Sequence, residues 1–297
     1  MRAEAGATAV GIAHCAFAER LVIEQPGIVD YVEIPFEQLV HNPRSAELAA
    51  HVPLILHCAS LSMAGNVSPD RQLVESVHHW VRETKTPWIG EHLSYVRADG
   101  TWKEIAEHSA LFMGGADQGP AGPFNVGYTV SPQYSNPVLD RVHEAWASFE
   151  REFGIPILLE NGPIYFNMPG STMSQSTFVN RLCEKSQKVG LLLDIAHLVI
   201  TSENSGRDPY SLLDEFPLER VVEVHLSGTR READLCWDDH SDRAPKIVFL
   251  LLERLLRRCR PRAITLEYNW DAVFPRDILF QDVQRVRGIL ASCFNAS

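Results

Sequence analysis

Five histidines and four carboxylates could do chemistry together in this sequence: His57, His92, His197, His225 and His240 with Glu160, Asp194, Asp238 and Glu267. Donors of these types exclude iron–sulfur clusters and cysteine-rich structural zinc, which need grouped thiolates, and they are too rich in imidazole for calcium or magnesium. Iron, manganese and zinc remain. Nine donors exceed what one such ion accepts, so a site using most of them holds two or three metals bridged by carboxylate. Asp194 and His197 stand three apart, which suits a strand end turning into a loop. Asp238 and His240 fall on one side of an extended segment by its two-residue period. Glu33 is expected outside the ligand set, orienting a ligand. Asn161, Ser60 and Asn66 are expected to hydrogen-bond a substrate, and Glu160, Asp194 and His240 to carry catalysis. Nucleophile chemistry reads poorly. Cys58 follows His57, but strand neighbours point to opposite faces, so Cys58 reads as a packed thiol. There is no G-x-S-x-G elbow.

The elements that must position these residues alternate along the chain. Apolar runs at 8–13, 29–35, 53–58, 88–93, 156–161, 190–197, 221–227 and 263–269 read as strands, mostly continuous as strands buried on both faces should be. Helical spacing fills 69–83, 137–153, 174–188, 209–216, 246–258 and 281–290. Eight strands interleaved with helices predict the α/β class, as one (β/α)8 barrel over 1–297. No G-x-G-x-x-G or P-loop is present. The runs end at His14, Glu33, His57, Glu91-His92, Glu160-Asn161, Asp194, His225 and Glu267-Tyr268-Asn269. In a barrel those ends share one face, the face where active sites sit, so they converge on one cavity. Buried His, Asp and Glu are costly unless paired or metal-bound, and a ring of them calls for a compensating cation. A long Gly/Pro-rich loop at about 96–137 follows the fourth run and reads as a lid or peptide-contacting segment beside the site.

Lys and Arg number 27 against 38 Asp and Glu in 297 residues, a net charge of −11. With 45% hydrophobic and 22% charged residues, disordered, collagenous and disulfide-scaffold classes are excluded. The acidic balance argues against nucleic acid. The one basic cluster, Arg254, Arg257, Arg258, Arg260 and Arg262, reads as a solvated helix end. Six scattered cysteines without a C-x-x-C pair predict reduced thiols. With no signal-peptide pattern and no run of about 20 apolar residues, a cytoplasmic protein without membrane partners is expected.

Eight motifs in order, DYVEIP (30–35), LILHCASLSMAG (54–65), GEHLSY (90–95), LLENGPIYF (158–166), GLLLDIAHLV (190–199), VVEVHLSG (221–228), WDDHS (237–241) and TLEYN (265–269), resemble the multinuclear non-haem iron-dependent oxidases. The resemblance runs from about residue 10 to 270. It implies a xylose-isomerase-like TIM barrel and a centre of two or three irons in mixed Fe(II)/Fe(III) valence, with dioxygen as co-substrate. It implies iron ligands at His57, His92, Glu160, Asp194, His225, Asp238, His240 and Glu267. His197 sits where relatives vary between His and Asn. The implied substrate is a ribosomally synthesised precursor peptide, modified at cysteine. The barrel takes up nearly the whole chain, so a separate partner protein that recognises the leader is expected. Segment 94–130 departs from the family pattern. The competing reading is a divalent-metal TIM-barrel isomerase or phosphodiester hydrolase, of the xylose isomerase or endonuclease IV kind, which needs no dioxygen.

Overall fold

Runs such as Gly190–Asp194 and Leu54–Cys58, buried at every residue, satisfy their backbone groups inside a sheet covered on both faces. The computed structural model describes residues 7–100, 122–268 and 276–294. Its strands are β1 Ala9–Ala13, β2 Tyr31–Pro35, β3 Leu54–Cys58, β4 Ile89–His92, β5 Tyr95–Gly100, β6 Gly122–Val130, β7 Ile157–Glu160, β8 Gly190–Asp194, β9 Val221–Leu226, β10 Thr229–Glu232, β11 Leu235–Asp238 and β12 Ala263–Leu266. Eight of them close a parallel barrel in the order β1-β12-β9-β8-β7-β4-β3-β2. Each of the eight apolar runs read from sequence contains one barrel strand. The α/β TIM-barrel expectation is met.

Described helices are α1 Ala16–Glu24, α2 Phe36–His41, α3 Arg71–Thr84, α4 Asn136–Phe153, α5 Gln175–Lys185, α6 Ile195–Ser205, α7 Pro209–Asp214, α8 Lys246–Leu256 and α9 Arg276–Phe294. Their starts follow capping chemistry. Asp70, Ser174, Asp194 and Asp208 each accept a backbone N–H of the first turn. The main core lies between barrel and helices, and a smaller one, with Tyr31, Ile55, Trp88, Leu158, Leu192 and Ala263, fills the barrel interior. Four of the five clustered arginines engage their own chain. Arg254 and Arg258 pair with Asp214, and Arg260 and Arg262 lie over Phe294 and Trp88. All six cysteines are free thiols. Among the described residues no helix is long and apolar enough to cross a membrane.

Two expectations need correction. The run at 190–197 is strand only to Asp194, and His197 lies in the first turn of α6 rather than in a loop. The apolar stretch LLLDIAHLVI carries no turn residue, and the boundary is set by Asp194, whose side chain accepts the His197 N–H at 2.7 Å. The long connection at 96–137 is not plain loop, because β5 and β6 pair as an antiparallel hairpin and α4 begins at Asn136. Residues 101–121, with most of the Gly/Pro-rich stretch, lie outside the described residues, as does Asn269.

Candidate metal centre

Strand alternation puts Glu33, His57, His92, Glu160, Asp194 and His225 on the inner face at the carboxyl ends of β2, β3, β4, β7, β8 and β9. Glu267 follows the last residue of β12, and His197 enters from α6. Asp238 ends β11 of a small hairpin, and His240 sits in the turn beyond it. The nine expected ligands therefore converge. Among the described residues they divide into three triads, each with ligand atoms within 4.8 Å of one another: His57–His92–Glu160, His197–Asp238–His240 and Asp194–His225–Glu267. Two further groups overlap these: Glu160–Asp194–His197 takes one member from each of the three and joins them, and Glu33–His57–His225 brings Glu33 within the same reach of two of the histidines.

Glu160 is the hub. Its Oε2 lies 3.4 Å from Nε2 of both His57 and His92, and its Oε1 lies 3.5 and 3.7 Å from Nδ1 of His197 and His225. Asp194 Oδ2 is 3.7 Å from His197 Nε2, and His240 Nδ1 is 3.7 Å from Glu267 Oε1. These gaps exceed hydrogen-bond lengths. Two donors on one ion at about 2.1 Å stand roughly 3.0–3.4 Å apart, from octahedral to tetrahedral angles, so the cage needs only small adjustments to close on cations. Glu160 Oε2 and Asp194 Oδ2 are buried without a hydrogen-bond partner among the described residues, and His225 Nδ1 has only the Glu267 carboxylate, 3.1 Å away. Buried polar atoms are rarely left so, and divalent ions would satisfy the two carboxylate oxygens. The donor set fits a metal centre.

Ring orientation is set from outside. His197 Nδ1 faces the Asn161 carbonyl at 2.8 Å, which turns Nε2 toward Asp238 at 3.2 Å. Glu33 stands behind two imidazoles, with Oε1 2.9 Å from His57 Nδ1 and Oε2 2.9 Å from His225 Nε2. The hydrogen bond at Nε2 turns His225 Nδ1 inward, and with the ion-pair contact at Nδ1 His57 Nε2 faces Glu160. Gly90 makes the approach possible, since a Cβ there would stand 2.7 Å from His57 Nδ1 and 2.8 Å from Leu192 Cδ1. We expect Gly90→Ala to cost about 1–3 kcal/mol through overpacking and to weaken metal held by the His57 triad roughly 10–100-fold. Thermal unfolding and metal content of the purified variant would check both.

Electrostatics follow from the crowding of five carboxylates. Burial opposes a charged His57, but Glu33 and Glu160 outweigh it and hold it up at about 10. Burial likewise opposes His240, which Glu267 and Asp238 hold at about 9. His92 falls to about 3 through burial and the charges of His57 and His197. Burial lifts Glu160 to about 7 despite three neighbouring imidazoles. Without metal, the cage balances its carboxylates with protons on histidine. Four groups, His92, Asp238, His240 and Glu267, keep 20–23% side-chain exposure and form the open side.

The residues expected to touch substrate are placed differently. Asn161 donates from Nδ2 to the Asp194 carbonyl at 3.0 Å and accepts the Asp194 N–H at 2.9 Å, so its carboxamide fixes Asp194 instead of facing outward. The Ser60 hydroxyl donates to Glu37 at 2.5 Å. Asn66 is exposed in the loop after β3 and joins none of the triads. Cys58 is fully buried, as read. Sequence reasoning missed Gly90 and a polar group inside the barrel: Tyr31, Trp88, Glu223 and Thr265. Their signal was available, since Tyr31, Glu223 and Thr265 each stand two residues before a site carboxylate or histidine and so share its face.

Comparisons with known proteins agree with this fold. Solved structures share the fold over nearly the whole chain at low identity. A xylose isomerase domain protein from Planctomyces limnophilus has a TM-score of 0.61 at 12% identity, covering 97% of this chain and 99% of that one. D-psicose 3-epimerase from Clostridium cellulolyticum gives 0.56 at 11%, covering 96% and 99%. Endonuclease IV from Thermus thermophilus gives 0.51 at 14%, covering 97% and 100%. A UPF0276 protein of Anaeromyxobacter sp. (strain Fw109-5) is 25% identical over 97% of this chain and 94% of its own length. One from Bordetella bronchiseptica is 28% identical over 91% and 88%. A Streptomyces avermitilis UPF0276 protein is 28% identical over 83% of this chain, which spans about half (48%) of that relative. The family model described as RiPP precursor modification enzyme MbnB/TglH/ChrH matches residues 9–107 and 130–291, breaking off within the segment that departs from the family motifs. With barrel, strand-end motifs and family model in agreement along the chain, the protein belongs to the MbnB/TglH/ChrH family of RiPP precursor modification enzymes, the multinuclear non-haem iron-dependent oxidase family that its motifs resemble.

Proposed function

We propose that the chain is a multinuclear iron-dependent, dioxygen-using oxidase that modifies a precursor peptide at cysteine, working with a separate leader-recognising protein. The observation that carries this reading is the division of nine ligands into three joined triads. Two of them, His57–His92–Glu160 and His197–Asp238–His240, are sets of two histidines and one carboxylate, the donor set that leaves open positions on non-haem Fe(II). The third, Asp194–His225–Glu267, has two carboxylates and suits a harder, more oxidised ion. Bound iron would supply one-electron chemistry with dioxygen and an anchor for a substrate thiolate. The protein's part is geometric and electrostatic. Asn161 and Glu33 hold ligands in register, while Glu160 and Asp194 tie the triads together. His240 sits at the open side, next to where substrate enters. Exposed Trp237, with the Tyr165 ring tilted against it at 4.8 Å and the Tyr165 hydroxyl accepting the Asp238 N–H, gives an aromatic edge next to Asp238 on which a peptide can lie.

The test is a cysteine-bearing precursor peptide encoded near the gene, incubated with iron-loaded protein, with and without dioxygen. A mass change at cysteine that requires both iron and dioxygen is expected. Turnover that persists anaerobically with zinc or manganese would assign Lewis-acid chemistry of the isomerase or hydrolase kind instead.

A further inference from the structure

TIM-barrel interiors are normally filled by branched apolar side chains. Here the layer beneath the site holds Tyr31, Trp88, Glu223 and Thr265, all at most 3% exposed. They form one connected network. Trp88 Nε1 donates to Glu223 Oε2 at 2.6 Å, and Glu223 Oε1 stands 3.1 Å from the Thr265 hydroxyl and 3.4 Å from that of Tyr31. The Tyr31 and Thr265 hydroxyls are 2.7 Å apart. The network meets the site at Glu33, where Thr265 Oγ1 donates to Oε2 at 2.6 Å and the Glu223 carboxyl also lies against the Glu33 carboxylate. The Thr265 hydroxyl has a single proton, so with that proton on Glu33 it accepts from Tyr31. The Tyr31 ring fits because β1 carries Gly11 opposite it, where a Cβ would come within 2.4 Å of the ring.

The last torsion of a glutamate is broad and nearly two-fold, so the backbone does not decide how the Glu33 carboxylate is turned. An external donor must. We propose that Thr265, held by Tyr31, is a positioning residue that locks the Glu33 carboxylate with one oxygen on His57 and the other on His225. Those imidazoles belong to different triads, so one hydroxyl sets the inward-facing nitrogen of both and couples two metal positions. The inference rests on the metal-centre reading above. It goes beyond the ligands by assigning a role to residues that touch no metal.

The test uses the full chain and Fe(II) alone under anaerobic conditions, with affinity measured by competition against a chelator and the centre followed by ⁵⁷Fe Mössbauer spectra. Thr265→Val, close in shape but without the hydroxyl, is expected to weaken Fe(II) binding roughly 10–100-fold and alter the spectrum, and Thr265→Ser to restore both. Tyr31→Phe keeps the ring against Gly11 and is expected to shift both in the same direction, which preserves the test should Thr265→Val not fold. Wild-type affinity and spectrum in folded Thr265→Val or Tyr31→Phe, or failure of Thr265→Ser to restore them, would overturn the positioning role while leaving the metal centre standing. No Fe(II) uptake by the unsubstituted chain would overturn both.

Discussion

Glu160→Gln is expected to empty more than one metal position at once while leaving the metal-free fold nearly intact. The substitution keeps shape and removes charge and one acceptor from a carboxylate that faces His57 and His92 through one oxygen and His197 and His225 through the other. Loss of an outer partner typically costs 10–100-fold in metal affinity, and loss of a bridging ligand should reach at least about 100-fold. Without metal the effect is small, because burial lifts the Glu160 pKa to about 7 and the carboxyl is already partly neutral near that pH. Metal per chain, read beside thermal unfolding of the metal-free forms, separates the two effects. Full metal content in the variant would remove Glu160 from the ligand set.

Metal removal is expected to lower the melting temperature by on the order of 10–20 °C, and by more as pH rises. Two sites filled at 100 times their dissociation constants add about 5 kcal/mol, and a chain of this size shifts by roughly 2–4 °C per kcal/mol. The pH dependence follows from which groups compete with metal. Histidines bind as neutral rings, yet in the metal-free cage His57 stands at about 10 and His240 at about 9, with His197 and His225 also raised because neighbouring carboxylates outweigh burial. Such raised groups stabilise the metal-free fold fully below about pH 6.5, and that contribution is lost as pH climbs through 9 to 10. Glu267, where His240 and His225 outweigh burial and hold the pKa at about 2, contributes above its unfolded value and loses that contribution only as pH falls toward 2. The gap between metal-loaded and metal-free melting temperatures should therefore widen from pH 6 to pH 9, with protons released on loading. A gap independent of pH would mean that these histidines are not ligands.

Much of this site was legible because the barrel enforces a simple rule: an apolar run ending in His, Asp or Glu delivers that group to one face. His57, Glu160, Asp194 and His225 follow it directly. Where chain geometry was local and continuous, the rule failed. LLLDIAHLVI hides the β8–α6 boundary because strand and helix are both buried, and only the Asp194 cap marks it. The spacing of Asp238 and His240 was readable, whereas the β10–β11 hairpin that carries them to the site was not read. The Asn161 carboxamide bonds the next strand's backbone, and a strand-end amide looks the same in sequence whether it faces substrate or that backbone. Glu223 was passed over inside the run VVEVHL, where neighbouring valines mask a buried carboxyl.

The central claim is a centre of two or three irons held by three joined triads, and metal content with Mössbauer spectroscopy tests it most directly. The protein would be produced without added metal beyond ⁵⁷Fe in the medium and kept anaerobic throughout. Two or three irons per chain, with both ferrous and ferric components, is the predicted result. Zinc or manganese alone, with no iron taken up and no peptide oxidation gained on reconstitution, would contradict it.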